Sequence, residues 1–284
     1  MSYFDKLPII SYNGSIARNL LASTRATDNT KKQKTTYHPY TVRDDDRVDI
    51  LAYRYYDDPS YAWLVWYSNE TVDPYYGIGV SEDVLIRLIE TKYQSIPRAT
   101  NTILYYRNDW TGDDTILTID QYNSLVGAIK KYFDPNLNQY GEIVSYVRKR
   151  KDMVRSTNKV INLAVSDVSS FTQGERIQYI NNGTIAAAAS ISNIDTDNNI
   201  LTVQHVTGSF SAGNTIVGYD SAATTDVVSS TLMQQLISDV ESIYWSAVTA
   251  YDEEVEKNNA SKQIVLIDNM LKSAVENQLA KALG

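Results

Sequence analysis

The chain has 284 residues, is 43% apolar and carries a formal charge of −8, which allows one to three domains with real cores. The acidic balance counts against nucleic-acid binding, which needs a basic surface, and the absence of cysteine removes disulfides and thiolate metal sites. No run of about 18 apolar residues offers a membrane span, and the opening MSYFDKLPIISYNG lacks the basic and long apolar regions of a signal peptide.

Residues 1–36 read as an arm and linker. Ser15 precedes Ile16, Ala17, Leu20 and Leu21, whose spacing predicts a helix. The polar ASTRATDNTKKQKTT that follows has no period and reads as a linker, or as a segment that orders on a partner.

Residues 37–94 form an aromatic module. A short strand is predicted over 37–42, and Val48, Leu51, Ala52 and Tyr55 share one helix face. Asp58 followed by Pro59 is a cap with proline at the first helical position. The SYAWLVWY run after it is apolar nearly all round, so its helix should be buried, ending at Asn69 and the run Asp73, Pro74, Tyr75, Tyr76, Gly77. Ser81 is placed to cap a third helix to about Gln94, with Val84, Leu85, Leu88 and Ile89 inward.

Residues 95–164 are mixed. Strands are predicted over 102–106, 142–148 and 159–165; Thr118 with Gln121 is a capping box that should start a helix to about Tyr132, stopping before Asp134-Pro135. Residues 165–230 contain no Lys and one Arg, Arg176, and are rich in Ser, Thr, Ala, Asn and Val. Phe171–Ile177 and Phe210–Ile216 repeat the pattern F-x-x-G-x-x-I, and 191–194, DTDNN and 200–203 read as a hairpin. This stretch is read as a small inserted all-β domain, a barrel or a sandwich. In 231–284, Leu236, Val240, Ile243, Ala247 and Tyr251 alternate four and three apart and predict an amphipathic helix. A short strand over 262–267 and a last helix capped by Asp268 complete this C-terminal helical segment.

No residue set points to a metal, a cofactor or catalysis. His38 and His205 fall in separate predicted domains, without the clustered ligands zinc requires. Asp44-Asp45-Asp46 and Asp57-Asp58 invite a glycosidase reading, but adjacent Asp residues at a strand end are better explained as turns and caps. Asp195-Thr196-Asp197-Asn198-Asn199 starts like a calcium loop, yet Ile200 and Val206 stand where the loop needs Gly and Glu. Arg148-Lys149-Arg150-Lys151 is a basic cluster in an acidic chain, either a solvated strand end or a contact for an acidic partner patch.

The run YTVRDDDRVDILAYRYYDDPSYAWLVWYSN resembles a LysM module, with Tyr40, Val42, Ile50, Ala52, Leu64 and Asn69 in matching places. Two departures fall in or near that family's glycan-contacting loops. Asp45-Asp46-Arg47 replaces Gly-Asp-Thr, and a helix is read where a closing strand should follow Asn69. The longer context, YRYYDDPSYAWLVWYSNETVDPYYG together with 251–259 and Lys262-Gln263-Ile264, resembles the baseplate wedge protein 53 family, LysM-like wedge subunits of contractile-tailed phages. The resemblance covers about 37–94 and 231–284.

It implies an α+β protein with a LysM-like aromatic module, no catalysis, and a place in the virion after assembly in the host cytoplasm. The implied partners are other wedge subunits and neighbouring wedges, in six-fold copies around the tail hub, with no nucleic acid and no membrane. The alternative is a LysM-type cell-wall glycan-binding module of a tail or secreted protein. The chain holds 22 Tyr against 4 Phe, nine of those Tyr between 37 and 76, and Tyr suits surfaces that are first solvated and later buried. The candidate contact residues are Trp63, Trp66, Asp73, Pro74, Tyr75, Tyr76, Gly77, Arg148, Lys149 and Arg150.

Overall fold

The computed structural model describes residues 7–19, 36–71, 73, 77–108, 116–148 and 153–283. The chain divides into two units, 1–95 with 253–284, and 96–252. The class is α+β, with a closed six-stranded barrel in the second unit.

The first unit starts with β1 (Ile9–Tyr12) and β2 (Ser15–Arg18), an antiparallel hairpin. This corrects the helix expected after Ser15. Asn13 and Gly14 take φ 49 and 79, the positive pair that a two-residue hairpin turn needs, so turn chemistry overrides the apolar spacing. Leu20 and Leu21 lie outside the described residues. Leu7 anchors the hairpin base in the core at 3% exposure.

Strand β3 (Tyr37–Thr41) leads into α1 (Val48–Tyr56), a 3-10 turn Pro59–Tyr61 and α2 (Ala62–Ser68). The Asp run builds this corner. Asp46 accepts from Tyr40 Oη at 2.6 Å, Arg54 Nη1 at 2.9 Å and the Arg43 nitrogen at 3.0 Å. Asp58 caps the 3-10 turn by accepting from the Ser60 nitrogen at 2.8 Å. Helix α3 (Glu82–Tyr93) buries Leu85 and Ile89 but leaves Val84 exposed. The strand that pairs antiparallel with β3 comes from the far end of the chain: β16 (Gln263–Ile267), in register from Tyr37↔Ile267 to Thr41↔Gln263. Helix α8 (Lys272–Leu283) follows, after a turn capped by Asp268, which accepts from the Met270 nitrogen at 2.8 Å. Leu51, Ala52, Tyr56, Leu64 and Val65 bury against Leu266, Ile267 and Leu279.

The second unit opens with α4 (Ile96–Asn101), which has no counterpart among the predicted elements, and β4 (Ile103–Asn108). After β5 (Ile116–Leu117) the capping box of Thr118 and Gln121 forms, as expected. The helix to about Tyr132 does not run through. Leu125 and Val126 turn extended between α5 (Ile119–Ser124) and α6 (Gly127–Lys130). Asp134-Pro135 then lies inside β6 (Phe133–Leu137), which tolerates proline because it is an edge strand of the order β5-β7-β6, with β7 (Ile143–Arg148) central. Strand β8 (Met153–Arg155) pairs with β4.

The barrel comprises β9 (Lys159–Val165), β10 (Arg176–Asn181), β11 (Thr184–Asp195), β12 (Ile200–Thr207), β13 (Thr215–Gly218) and β14 (Thr224–Gln235), closed in the order β10-β11-β12-β9-β14-β13. The F-x-x-G-x-x-I repeat is the mark of an internal duplication. Each half contributes three strands, and exchanging β9, β10, β11 with β12, β13, β14 maps the strand order onto itself. Gly174 and Gly213 take φ 87 and 83. Their nitrogens bond Ile191 O and Val227 O at 2.9 and 2.8 Å. Phe171, Ile177, Phe210 and Ile216 all enter the core. The DTDNN turn closes the β11–β12 hairpin, Asp195 Oδ1 accepting from the nitrogens of Asp197 and Asn198, each at 3.1 Å.

The amphipathic helix expected over 236–251 is replaced by a 3-10 turn (Ser242–Tyr244), β15 (Ser246–Thr249) and the start of α7 (Ala250–Ser261). Val240 and Ile243 are 50% and 77% exposed, while Ile237 and Trp245 are buried. The barrel and the sheet order β15-β4-β8 claim the backbone bonds here, and strand pairing outweighs a stripe of helical spacing.

Candidate interface

Trp63 sits in the core of the first unit at 7% exposure, its ring 6.2 Å from that of Tyr67. Trp66 packs partly buried against the same core. The aromatic run therefore divides. Trp63 and Tyr56 hold the module together, while Tyr53 stays 61% exposed. Burial pushes the Tyr56 hydroxyl far above its usual range; it donates to Ile267 O at 3.0 Å and ties α1 to β16. Asn69 does the same for α2. Its amide donates to Val65 O and Val265 O and accepts from the Val265 nitrogen, each at 2.8 Å.

The Asp73 carbonyl accepts from the Gly77 nitrogen at 2.9 Å, and a Cβ added at Gly77 would collide with that same carbonyl. Pro74, Tyr75 and Tyr76 lie outside the described residues. Gly79 is also required by close approach: an added Cβ would lie 2.8 Å from Asn258 O and from the Lys262 nitrogen. Asn258 clamps the same turn, donating to Val80 O at 3.0 Å and accepting from its nitrogen at 2.8 Å.

In the second unit Arg148 is half-buried on β7, its guanidinium 5.7 Å from the Phe133 ring and 5.8 Å from that of Tyr244. Burial lowers its pKa, and the charge is held between rings. Lys149 and Arg150 lie outside the described residues.

The histidines go to separate structural tasks. His38 bonds Asp268 Oδ2 at 2.8 Å. His205 is buried, its ring stacked on Tyr106 at 5.9 Å, and burial lowers its pKa. Among the described residues no group of three His, Cys, Asp or Glu is placed to hold a metal ion, and no helix is long and apolar enough to cross a membrane.

Two buried carboxylates escape a sequence reading because their partners are scattered along the chain. Glu175 accepts from Ser221 Oγ and N at 2.6 and 2.7 Å and from the nitrogens of Asp220 and Thr172 at 3.0 Å each. Glu241 accepts from Tyr132 Oη and Ser238 Oγ, each at 2.6 Å, and pairs with Lys131. Trp245 Nε1 donates to the Tyr132 hydroxyl at 3.0 Å. Burial alone would raise the Glu241 pKa, but these donors bring it down to about 2. Burial first, then the bond to Glu241, pushes the Tyr132 hydroxyl up to about 12.

Of the carboxylates that invited a catalytic reading, Asp46 builds the turn after β3, Asp44 pairs with Lys262, Asp57 ends α1 and Asp58 caps the 3-10 turn. The family model for base plate wedge protein 53 matches residues 25–126. This match, over about a third of the chain, agrees with the resemblance read from the tyrosine-rich run: these residues are similar to the base plate wedge protein 53 family, whose description points to a structural role in a phage baseplate. The matched stretch runs past 94 and does not include 231–284. No curated protein matches the chain.

Proposed function

We propose that this chain is a non-catalytic subunit of a contractile-tail baseplate wedge that joins neighbouring wedges around the tail hub, in six-fold copies, after assembly in the host cytoplasm. The observation that carries the reading is the family match over 25–126, which contains the whole β3-α1-α2 aromatic module. That module is read as LysM-like, with β16 serving as the closing strand that is missing after Asn69. The proposed anchors are the 73–77 run, Trp66 and the exposed Tyr53 of the same aromatic module, and the basic cluster at 148–150 for an acidic partner patch.

Tyr75→Ala and Tyr76→Ala test the anchors. Each should weaken binding to purified wedge partners by about 1–3 kcal/mol if it is a contact residue, since Tyr is enriched at binding hot spots. Melting curves should match wild type. Loss of thermal stability with unchanged binding of the folded fraction would assign these tyrosines to packing instead. Binding to peptidoglycan oligomers with no affinity for wedge proteins would replace the baseplate reading with a glycan-binding one.

A further inference from the structure

The two edges of β14 have different fates. One pairs with β9 from Val227↔Val165 to Gln235↔Lys159. On the other, β13 reaches only from Val217↔Thr224 to Thr215↔Asp226. The last backbone bonds there join Gly213 N to Val227 O and Val227 N to Asn214 O, at 2.8 and 2.9 Å. Over 228–235 this edge has no backbone partner among the described residues. The duplicated half differs: after the equivalent bonds at Ile191, β11 continues only to Asp195.

Free edges are blunted by bulges, charged residues or proline; β14 bulges at 227–229 and 232–234, but 227–238 contains no charge and no proline. Val228, Leu232 and Met233 are 59%, 55% and 60% exposed. Beside the edge lies a groove of about 250 Å³, lined by the apolar Ile161, Val206, Phe210 and Leu232 and by the charged Lys159 and Asp239 among others. Ser230 and Leu232 pair with Leu163 and Ile161, both buried, so they face the barrel interior where it opens into this groove. Between those bulges the backbone N–H and C=O groups form a row that another extended backbone can match, and a strand added there would set alternate side chains over the groove.

We propose that 228–235 is a strand-addition site for an extended segment, apolar at alternate positions, supplied by a partner subunit of the assembled baseplate. The proposal rests on the baseplate reading given above.

Hydrogen exchange of this chain in purified tails, compared with the free chain, reads the edge directly. Amides in 228–235 should be protected by about tenfold or more in tails, the scale set by about 1.4 kcal/mol of added stability. Val228→Lys combined with Met233→Lys, both at exposed positions, should leave the melting of the free chain unchanged and cut its incorporation into tails by a similar factor. Leu232→Ser, which adds no charge, should do so more weakly. If the chain is present in tails but 228–235 exchanges as fast as in the free protein, strand addition is wrong while the baseplate role stands. If the chain is absent from tails, the baseplate role itself fails. If the free chain doubles in mass by light scattering and the double variant restores the monomer, the edge serves a second copy and the proposal is overturned.

Discussion

Asn69 joins a helix end to a strand 196 residues further on, whereas in sequence it was legible only as the end of a helix and as a match to the LysM pattern. The Asp run reads correctly for a local reason: Asp46 and Asp58 bond groups within eight residues of themselves. Glu241 does not, since its partner Tyr132 is 109 residues away. Its pKa is lowered from 4.5 to about 2, so it contributes stability that is fully present above about pH 4.5. That stability is lost as pH falls towards 2, and is on the order of 3 kcal/mol. Glu241→Gln should therefore unfold at lower urea than wild type at pH 7, with the gap closing by pH 2.5. A gap that stayed constant with pH would mean that the carboxylate charge is not what stabilises the site. Either Trp63 or Trp66 was expected to be buried, and Trp63 is the one that is, while Trp66 is only partly so. Trp63→Ala should cost about 3–5 kcal/mol, the range for a large core aromatic; a melting temperature within a degree or two of wild type would remove Trp63 from the core.

At the scale of elements, the local signals that hold are caps and turns: the Thr118–Gln121 box, Asp268 before its turn, and the DTDNN hairpin. The signals that mislead are stretches of apolar spacing whose backbone is claimed by strand pairing. Both the hairpin at 9–18 and β15 sit where helices are predicted. The pairing of β3 with β16 gives this scale its test, because Ile264, Leu266 and Ile267 are all at most 4% exposed. A chain ending at Ser261 should lose the cooperative unfolding of the first unit and keep that of the second, so calorimetry should show one transition fewer than in the full chain. An unchanged profile would show that β16 is dispensable.

For the whole molecule, the second unit is inserted between Ser95 and Glu253 of the first. Lys92 Nζ and the Tyr93 hydroxyl bond Glu254 Oε1 at 2.5 and 3.1 Å, which brings the two ends of the first unit together. Replacing 96–252 by a short Gly/Ser bridge should leave a folded first unit with its own melting transition. A narrower deletion of 166–229 should aggregate, because β9 and the end of β14 would keep Leu163 and Ile161 without a barrel to bury them. If the narrower deletion stayed soluble and folded while the wider one did not, the units would be divided differently. By itself the sequence determined the mixed class, the wedge-family aromatic module, the β-rich composition of 165–230 and its duplication. The class, the β-rich stretch and its repeat are written within a few residues as period, cap or glycine turn, while the family is read from the likeness of the tyrosine-rich run. The tertiary structure decided which distant strand closes on β3, that the duplicated β region is a closed barrel, and that 236–251 is not a helix. Those outcomes depend on which backbone edge finds a partner, and that partner lies far along the chain.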